Sequence, residues 1–200
     1  ATRERQATGP AASVVEMKSM MQNMPRQPTP EGVALEEVQA GSARGEWVSV
    51  PGASSGMVML FFHGGGYCLG DIADRRDFAA RVSAATGGRV LNLDYRLAPE
   101  APFPAAFDDA VSAYEWLLAA GHAPTKIVVG GDSAGGGLAL AATMAVRDRG
   151  LPLPAAIVAL SPWTDLTMSQ ASITSRARTD TLGEPVLTMV FGPDYDDRRI

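Results

Sequence analysis

The sequence predicts an α/β fold, a mostly parallel sheet with helices on both faces, and three observations carry that prediction. Short apolar runs of strand length alternate with helix-forming stretches from residue 57 to residue 160. Two of the runs, residues 57–62 and 126–129, pass without a linker into glycine-rich turns, and the carboxyl edge of an open parallel sheet is where such folds build their sites. Composition agrees: 200 residues, 46% hydrophobic and 20% charged, suit one domain with a sizeable core and exclude disordered and fibrous classes.

Residues 1–30 read as a separate N-terminal segment, closed off by Pro25, Pro28 and Pro30. Within it Met17, Met20, Met21 and Met24 fall at i, i+3, i+4 and i+7, one face of a helix. Methionine fills irregular apolar space, so this helix either lines a pocket or packs on the body. The core is expected over residues 31–165. Val33, Leu35 and Val38, then Glu46-Trp47-Val48-Ser49-Val50, read as antiparallel opening strands, with Pro51-Gly52 as the turn after them. Residues 57–62 form a continuous apolar run, the mark of a strand buried on both faces. A helix over residues 74–85 presents Phe78, Val82 and Ala85 on one face and ends at Gly87-Gly88. Residues 89–93 give the next strand. Residues 104–120 give a helix that packs through Ala106, Ala110, Ala113 and Leu117. Strand 126–130, helix 138–147 and strand 155–160 complete the repeating pattern. Residues 166–200 are expected to be a cap-like tail, with a short helix over 184–191.

A net charge of −5 without a basic run argues against nucleic acid as a partner, and no apolar segment approaches the ~20 residues of a membrane span. The first ten residues are polar and no apolar signal follows, so a cytoplasmic protein is expected. Cys68 is alone, which excludes an internal disulfide, and reads as a packed small residue. No metal or cofactor is expected.

The chemistry is concentrated in two turns. Val128-Val129-Gly130-Gly131-Asp132-Ser133-Ala134-Gly135-Gly136-Gly137 is strand, sharp turn and helix start. In a nucleophile elbow the serine takes a strained conformation that projects its hydroxyl, and Gly131 and Gly135 stand where strand and helix must pass closely. The helix start aims N–H groups and positive dipole at the serine, which makes the Ala134 N–H a candidate oxyanion donor. Taken alone, the motif also fits a glycine-rich turn that binds phosphate or nothing. The second turn, His63-Gly64-Gly65-Gly66-Tyr67, follows strand 57–62. Its successive glycines let the backbone approach a substrate and turn N–H groups inward, so Gly64, Gly65 and Gly66 are the further candidate donors.

With these motifs the sequence resembles the bacterial hormone-sensitive-lipase-like family of α/β-hydrolase esterases. The likeness rests on His63-Gly64-Gly65-Gly66, Asp94-Tyr95-Arg96-Leu97-Ala98-Pro99-Glu100, Phe103-Pro104-Ala105-Ala106 and Gly131-Asp132-Ser133-Ala134-Gly135-Gly136. It implies an α/β-hydrolase fold with an N-terminal cap helix. It further implies carboxylic ester hydrolysis through an acyl-serine intermediate on Ser133, without metal or cofactor, with His63 as organiser of the oxyanion turn. Tyr95, Arg96 and Glu100 read as a hydrogen-bonded scaffold near the site, and Trp163 either touches substrate or, the reading preferred, packs beside the pocket.

A serine hydroxyl needs a base oriented by a third group, and in this architecture the chain order is Ser, acid, His. The sequence has two histidines, and both precede Ser133. His122 lies before strand 126–130, roughly 15–20 Å from the serine at the rise of a β-strand. His63 belongs to the oxyanion turn. Asp132, Asp108, Asp109 and Asp165 are placed wrongly for the acid, and Asp180, Asp194, Asp196 and Asp197 fall in the tail. The expectation is therefore a chain that lacks the last two strands of the fold, with acid and histidine in a missing C-terminal part and self-association along the exposed edge. Esters or lactones with short acyl chains are the expected substrates. The alternatives are a non-hydrolytic small-ligand receptor, as one plant hormone receptor of the family is, and an inactive fragment.

Overall fold

In a computed structural model the structure describes residues 26–167, together with Glu16, Lys18, Ser19, Asn23, Gln170, Ala171 and Ser175. The methionine stripe and the expected helix over 184–191 lie outside the described residues. Six strands among them, β1 (Ala34–Ala40), β2 (Ala43–Ser49), β3 (Val58–Phe62), β4 (Arg89–Asp94), β5 (Ile127–Asp132) and β6 (Ala156–Leu160), form one sheet. Its order is β1-β2-β4-β3-β5-β6. β1 and β2 pair antiparallel, β2 runs antiparallel to β4, and β3 to β6 are parallel to one another.

Three helices cover the sheet: α1 (Arg76–Thr86), α2 (Ala105–Ala119) and α3 (Ala134–Asp148). α2 and α3 pack on one face, where Leu60, Phe62, Leu91, Leu93 and Val129 meet Ala110, Ala113, Leu117, Leu138 and Ala142. α1 covers the other face, where Met59, Phe61 and Val90 meet Ala79 and Ala80. All five residues of β3 are buried, as a central strand covered on both faces requires. On β6, at the end of the sheet, Ile157, Val158 and Leu160 are 37–39% exposed.

Two of the differences from the expected element limits have a local reason. The helix expected to begin at residue 74 starts as a 3₁₀ turn, Ile72–Arg75, because the Asp71 side chain accepts the Asp74 N–H and the backbone leaves helical geometry at Arg75 (φ −114°, ψ 4°). The helix expected from residue 138 begins four residues earlier, immediately after Ser133, and takes Gly135, Gly136 and Gly137 into its first turn. A side chain there would collide with other chain segments: an added Cβ on Gly135 would lie 2.0 Å from the Phe62 carbonyl oxygen, and one on Gly137 2.2 Å from that of Trp163.

Candidate active site

Strand β5 delivers Ser133 to the carboxyl edge of the sheet in a conformation L-residues avoid, φ 54° and ψ −119°. The strain is held by three backbone hydrogen bonds. Ser133 N–H donates to the Leu160 carbonyl (2.9 Å), and its own carbonyl accepts from Gly137 N–H (3.1 Å) and Trp163 N–H (2.9 Å). The end of β6 and the segment after it thus pin the elbow. Glycine is required on both sides of it, because a Cβ on Gly131 would stand 2.2 Å from the Gly135 carbonyl oxygen.

The turn after β3 lies against this elbow: a Cβ placed on Gly64 would be 3.1 Å from the Ser133 Cβ. Gly65 and Gly66 take φ of 130° and 61°, and the Gly65 carbonyl closes the turn by accepting from Cys68 N–H (3.1 Å) and Leu69 N–H (2.8 Å). One expected donor is corrected here. The Gly64 N–H donates to Asp132 Oδ1 at 3.0 Å, so it is engaged within the protein. The N–H groups of Gly65, Gly66 and Ala134 have no protein acceptor among the described residues and remain as candidate donors at this edge.

His63 is buried to 2% exposure beneath the turn. Its Nδ1 lies 2.8 Å from the Gly64 carbonyl oxygen, an acceptor, so Nδ1 carries the proton, and Nε2 is enclosed with no partner among the described residues. Burial holds the imidazole below its ordinary pKa, against the opposing pull of the Gly64 hydrogen bond. A neutral ring with one nitrogen engaged and the other sealed from solvent can orient a loop but cannot reach a serine proton. His122 lies at the other end of the sheet, its ring 5.8 Å from that of Trp47, near the amino ends of the parallel strands where Val58 pairs with Arg89 and Ile127.

The scaffold read in residues 94–100 is present. Tyr95 donates to the His63 carbonyl (2.6 Å), Arg96 chelates Asp109, and Glu100 pairs with Lys18 at 2.6 Å. Arg26 pairs with Asp71 and, at 3.1 Å, with Asp74. Three ion pairs, made by Lys18 and Arg26, therefore tie the N-terminal segment to residues 71, 74 and 100. Trp163 packs against Tyr67, ring centroids 6.2 Å apart, and donates Nε1 to the Asp165 carbonyl. Cys68 is fully buried and its thiol is pushed up by burial, which fits packing and not nucleophilic use. An apolar cavity of about 190 Å³ opens between Tyr67, Phe103, Phe107 and Leu138. Among the described residues no cluster of three acidic, histidine or cysteine side chains could hold a metal, and no helix is long and apolar enough to cross a membrane.

Sequence reasoning missed Arg75, whose Nε and Nη2 fork the Asp132 carboxylate at 3.0 and 2.8 Å. It also missed Gly70 (φ 90°), where a Cβ would stand 2.8 Å from both His63 Nδ1 and the Gly64 carbonyl oxygen. The only signal for Gly70 is a glycine soon after the turn, and Arg75 has none.

Comparison with known proteins agrees with this fold. The profile of a family described as alpha/beta hydrolase fold matches residues 59–192. An acetyl-hydrolase of Streptomyces hygroscopicus is 48% identical over 139 residues, covering 70% of this chain and 46% of that protein. An esterase of Acinetobacter venetianus is 32% identical over 158 residues, covering 79% and 51%. Among solved structures, EstE5 soaked with p-nitrophenyl butyrate superposes with a TM-score of 0.86 at 38% identity, over 96% of this chain and 65% of that one. An esterase from the bacterial hormone-sensitive lipase family gives 0.82 at 39% identity, over 94% and 66%. The chain spans about half the length of the curated relatives it matches.

Proposed function

The chain belongs to the α/β-hydrolase fold family, among the hormone-sensitive-lipase-like esterases, and from that premise we propose that it hydrolyses carboxylic esters through an acyl intermediate on Ser133. The observation that carries the reading is the strained Ser133 at the strand-to-helix junction with the Gly64-Gly65-Gly66 turn packed against it. Attack of Oγ on the ester carbonyl forms a tetrahedral intermediate, whose oxyanion receives the N–H groups of Gly65 or Gly66 and Ala134. The base that took the Ser133 proton passes it to the departing alkoxide, which leaves as the alcohol, and water, deprotonated in its turn, releases the acid and restores the Ser133 hydroxyl. His63 organises the turn, and the base that takes the Ser133 proton is neither His63 nor His122. The 190 Å³ apolar cavity beside Tyr67 supports esters or lactones with small apolar groups.

Within this reading residues 1–30 act as a cap on a core of residues 31–165. A single cysteine fits a cytoplasmic setting. The exposed apolar side chains of β6 support self-association of the 200 residues expressed alone, which sedimentation at several concentrations would detect. The test of the reaction is an active-site-directed phosphonate with peptide mapping. Ser133 is expected to carry the adduct, and Ser133→Ala to abolish it and lower ester turnover by several powers of ten. Labelling at Ser161 instead would overturn the assignment.

A further inference from the structure

We propose that Arg75 is a positioning residue for this reaction: through the Asp132 carboxylate it locks the oxyanion turn onto the nucleophile elbow. The inference rests on the ester-hydrolase reading, since a lock on that turn matters to turnover only if the turn stabilises an oxyanion.

Groups from three elements, the turn after β3, the 3₁₀ turn before α1 and the end of β5, meet on one carboxylate. Asp132 Oδ1 accepts from Gly64 N–H at 3.0 Å and from Arg75 Nε at 3.0 Å, and Oδ2 accepts from Arg75 Nη2 at 2.8 Å. Asp132 immediately precedes Ser133, and Gly64 is the first glycine of the turn. The carboxylate therefore fixes the distance between the nucleophile and the donors that follow Gly64. There is no slack in the arrangement. A Cβ on Gly64 would stand 2.5 Å from Asp132 Oδ2, and the backbone leaves helical geometry at Arg75, whose guanidinium reaches this carboxylate. A fork of two parallel N–H groups sets the carboxylate plane as well as its position, which a lysine ammonium cannot do.

Charge gives the guanidinium a second task. An unpaired carboxylate one residue from the nucleophile would oppose the negative charge that develops on the substrate oxygen. Arg75 cancels it. The pair is partly enclosed, with side chains 30% and 27% exposed. The other groups facing it are His63 beside Asp132, and Asp74 and Tyr95 beside Arg75. Burial alone would raise the Asp132 pKa, but the Arg75 hydrogen bond and charge, with the Gly64 amide, hold it below the usual carboxylate value.

Arg75→Met, Arg75→Lys and the double variant Arg75→Met/Asp132→Asn in the full protein separate position from charge. On p-nitrophenyl acetate, Arg75→Met is expected to lower kcat about 10- to 100-fold while KM moves less than about threefold, the scale of a small misplacement at a reacting centre. Arg75→Lys is expected to regain part of the loss. The double variant is expected to regain more, because asparagine still accepts the Gly64 N–H without leaving a charge. If Arg75→Met does not fold, the lysine and double variants carry the same comparison. A second readout needs no turnover. In protein labelled with ¹⁵N-glycine the Gly64 amide resonance should titrate with Asp132, and in Arg75→Met or Arg75→Lys its midpoint should move to higher pH. Wild-type protein without esterase activity would remove the functional reading, and the amide titration would still decide whether the lock exists. A kcat unchanged in Arg75→Met and Arg75→Lys, or a Gly64 titration that both leave in place, overturns the proposal.

Discussion

The rings of His63 and Tyr95 are stacked, 4.5 Å between centroids and 18° from parallel, and the Tyr95 hydroxyl donates 2.6 Å to the His63 carbonyl oxygen. Tyr95 stands just past the end of β4, and His63 just past the end of the neighbouring strand β3. One residue thus holds both the ring and the backbone of the residue that opens the oxyanion turn. Tyr95→Phe keeps the stack and removes the donor, leaving a buried carbonyl unsatisfied at a cost of about 1–3 kcal/mol. We predict a lowered midpoint in urea and a kcat that falls more than KM rises. An unchanged midpoint would show that the carbonyl finds another donor.

Gly70 seats the other side of the same ring. With φ 90° and only 2.8 Å between its would-be Cβ and His63 Nδ1, Gly70→Ala combines backbone strain with a collision that must displace the imidazole or the Gly64 carbonyl. The strain alone costs about 1–3 kcal/mol. Phosphonate labelling of Ser133 in Gly70→Ala is therefore expected to slow in protein that is still folded by circular dichroism. A wild-type labelling rate would mean that the position of His63 does not reach the donors.

The fold was largely legible in the sequence because its signals are local. The run at residues 57–62 has no polar residue to break it, and each strand ends in a turn of distinctive composition. What escaped depends on partners distant in sequence. Asp109 stands beside Asp108 on a helix with nothing local to mark it as buried, yet it is fully buried, because Ser42 from the β1–β2 turn and Arg96 from the loop after β4 close over it. Gly64 reads as a free donor until Asp132, 68 residues later, is seen to take its N–H. Gly136 and Gly137 lie before the helix expected from residue 138, and only the chain lying across them, Pro162 and Trp163, explains why they must be bare. Arg75 carries no local signal for the same reason, since Asp132 lies 57 residues further on.

Asp109 makes a prediction about pH. Burial works to raise its pKa, but Arg96, through side chain and backbone N–H, and the Ser42 hydroxyl outweigh burial and hold it below the ordinary value. A carboxylate with a depressed folded pKa contributes stability that is present above its unfolded pKa of ~3.9 and is lost as pH falls through the lower folded value. Asp109→Asn is expected to cost about 1–3 kcal/mol at neutral pH, since it trades charge-assisted bonds for weaker ones. The difference from wild type should shrink in the acid range below that unfolded value. Urea unfolding of both proteins across that range measures it, and a difference independent of pH would assign the loss to shape and not to charge.

The last prediction compares two glycines that share a positive φ and differ in what surrounds them. Gly65 (φ 130°) lies inside the oxyanion turn, and a Cβ there would stand 2.1 Å from the Leu69 carbonyl oxygen, against the backbone that closes the turn. Gly121 (φ 87°), in the loop after α2, has nothing within 4 Å of the same position. Conformational strain acts on both and is worth roughly 1–2 kcal/mol for an alanine. Only Gly65 adds a collision that no side-chain rotation relieves, because the atoms met are backbone. Gly121→Ala is therefore expected to lower thermal stability slightly and leave ester turnover at the wild-type rate. Gly65→Ala is expected to lower kcat on the order of 10²–10³-fold, the effect of losing one oxyanion donor, with KM little changed. Parallel measurement of Tm and kcat for the two variants separates strain from donor geometry. Equal losses of kcat would show that turnover follows stability, and would take the Gly65 turn out of the reaction.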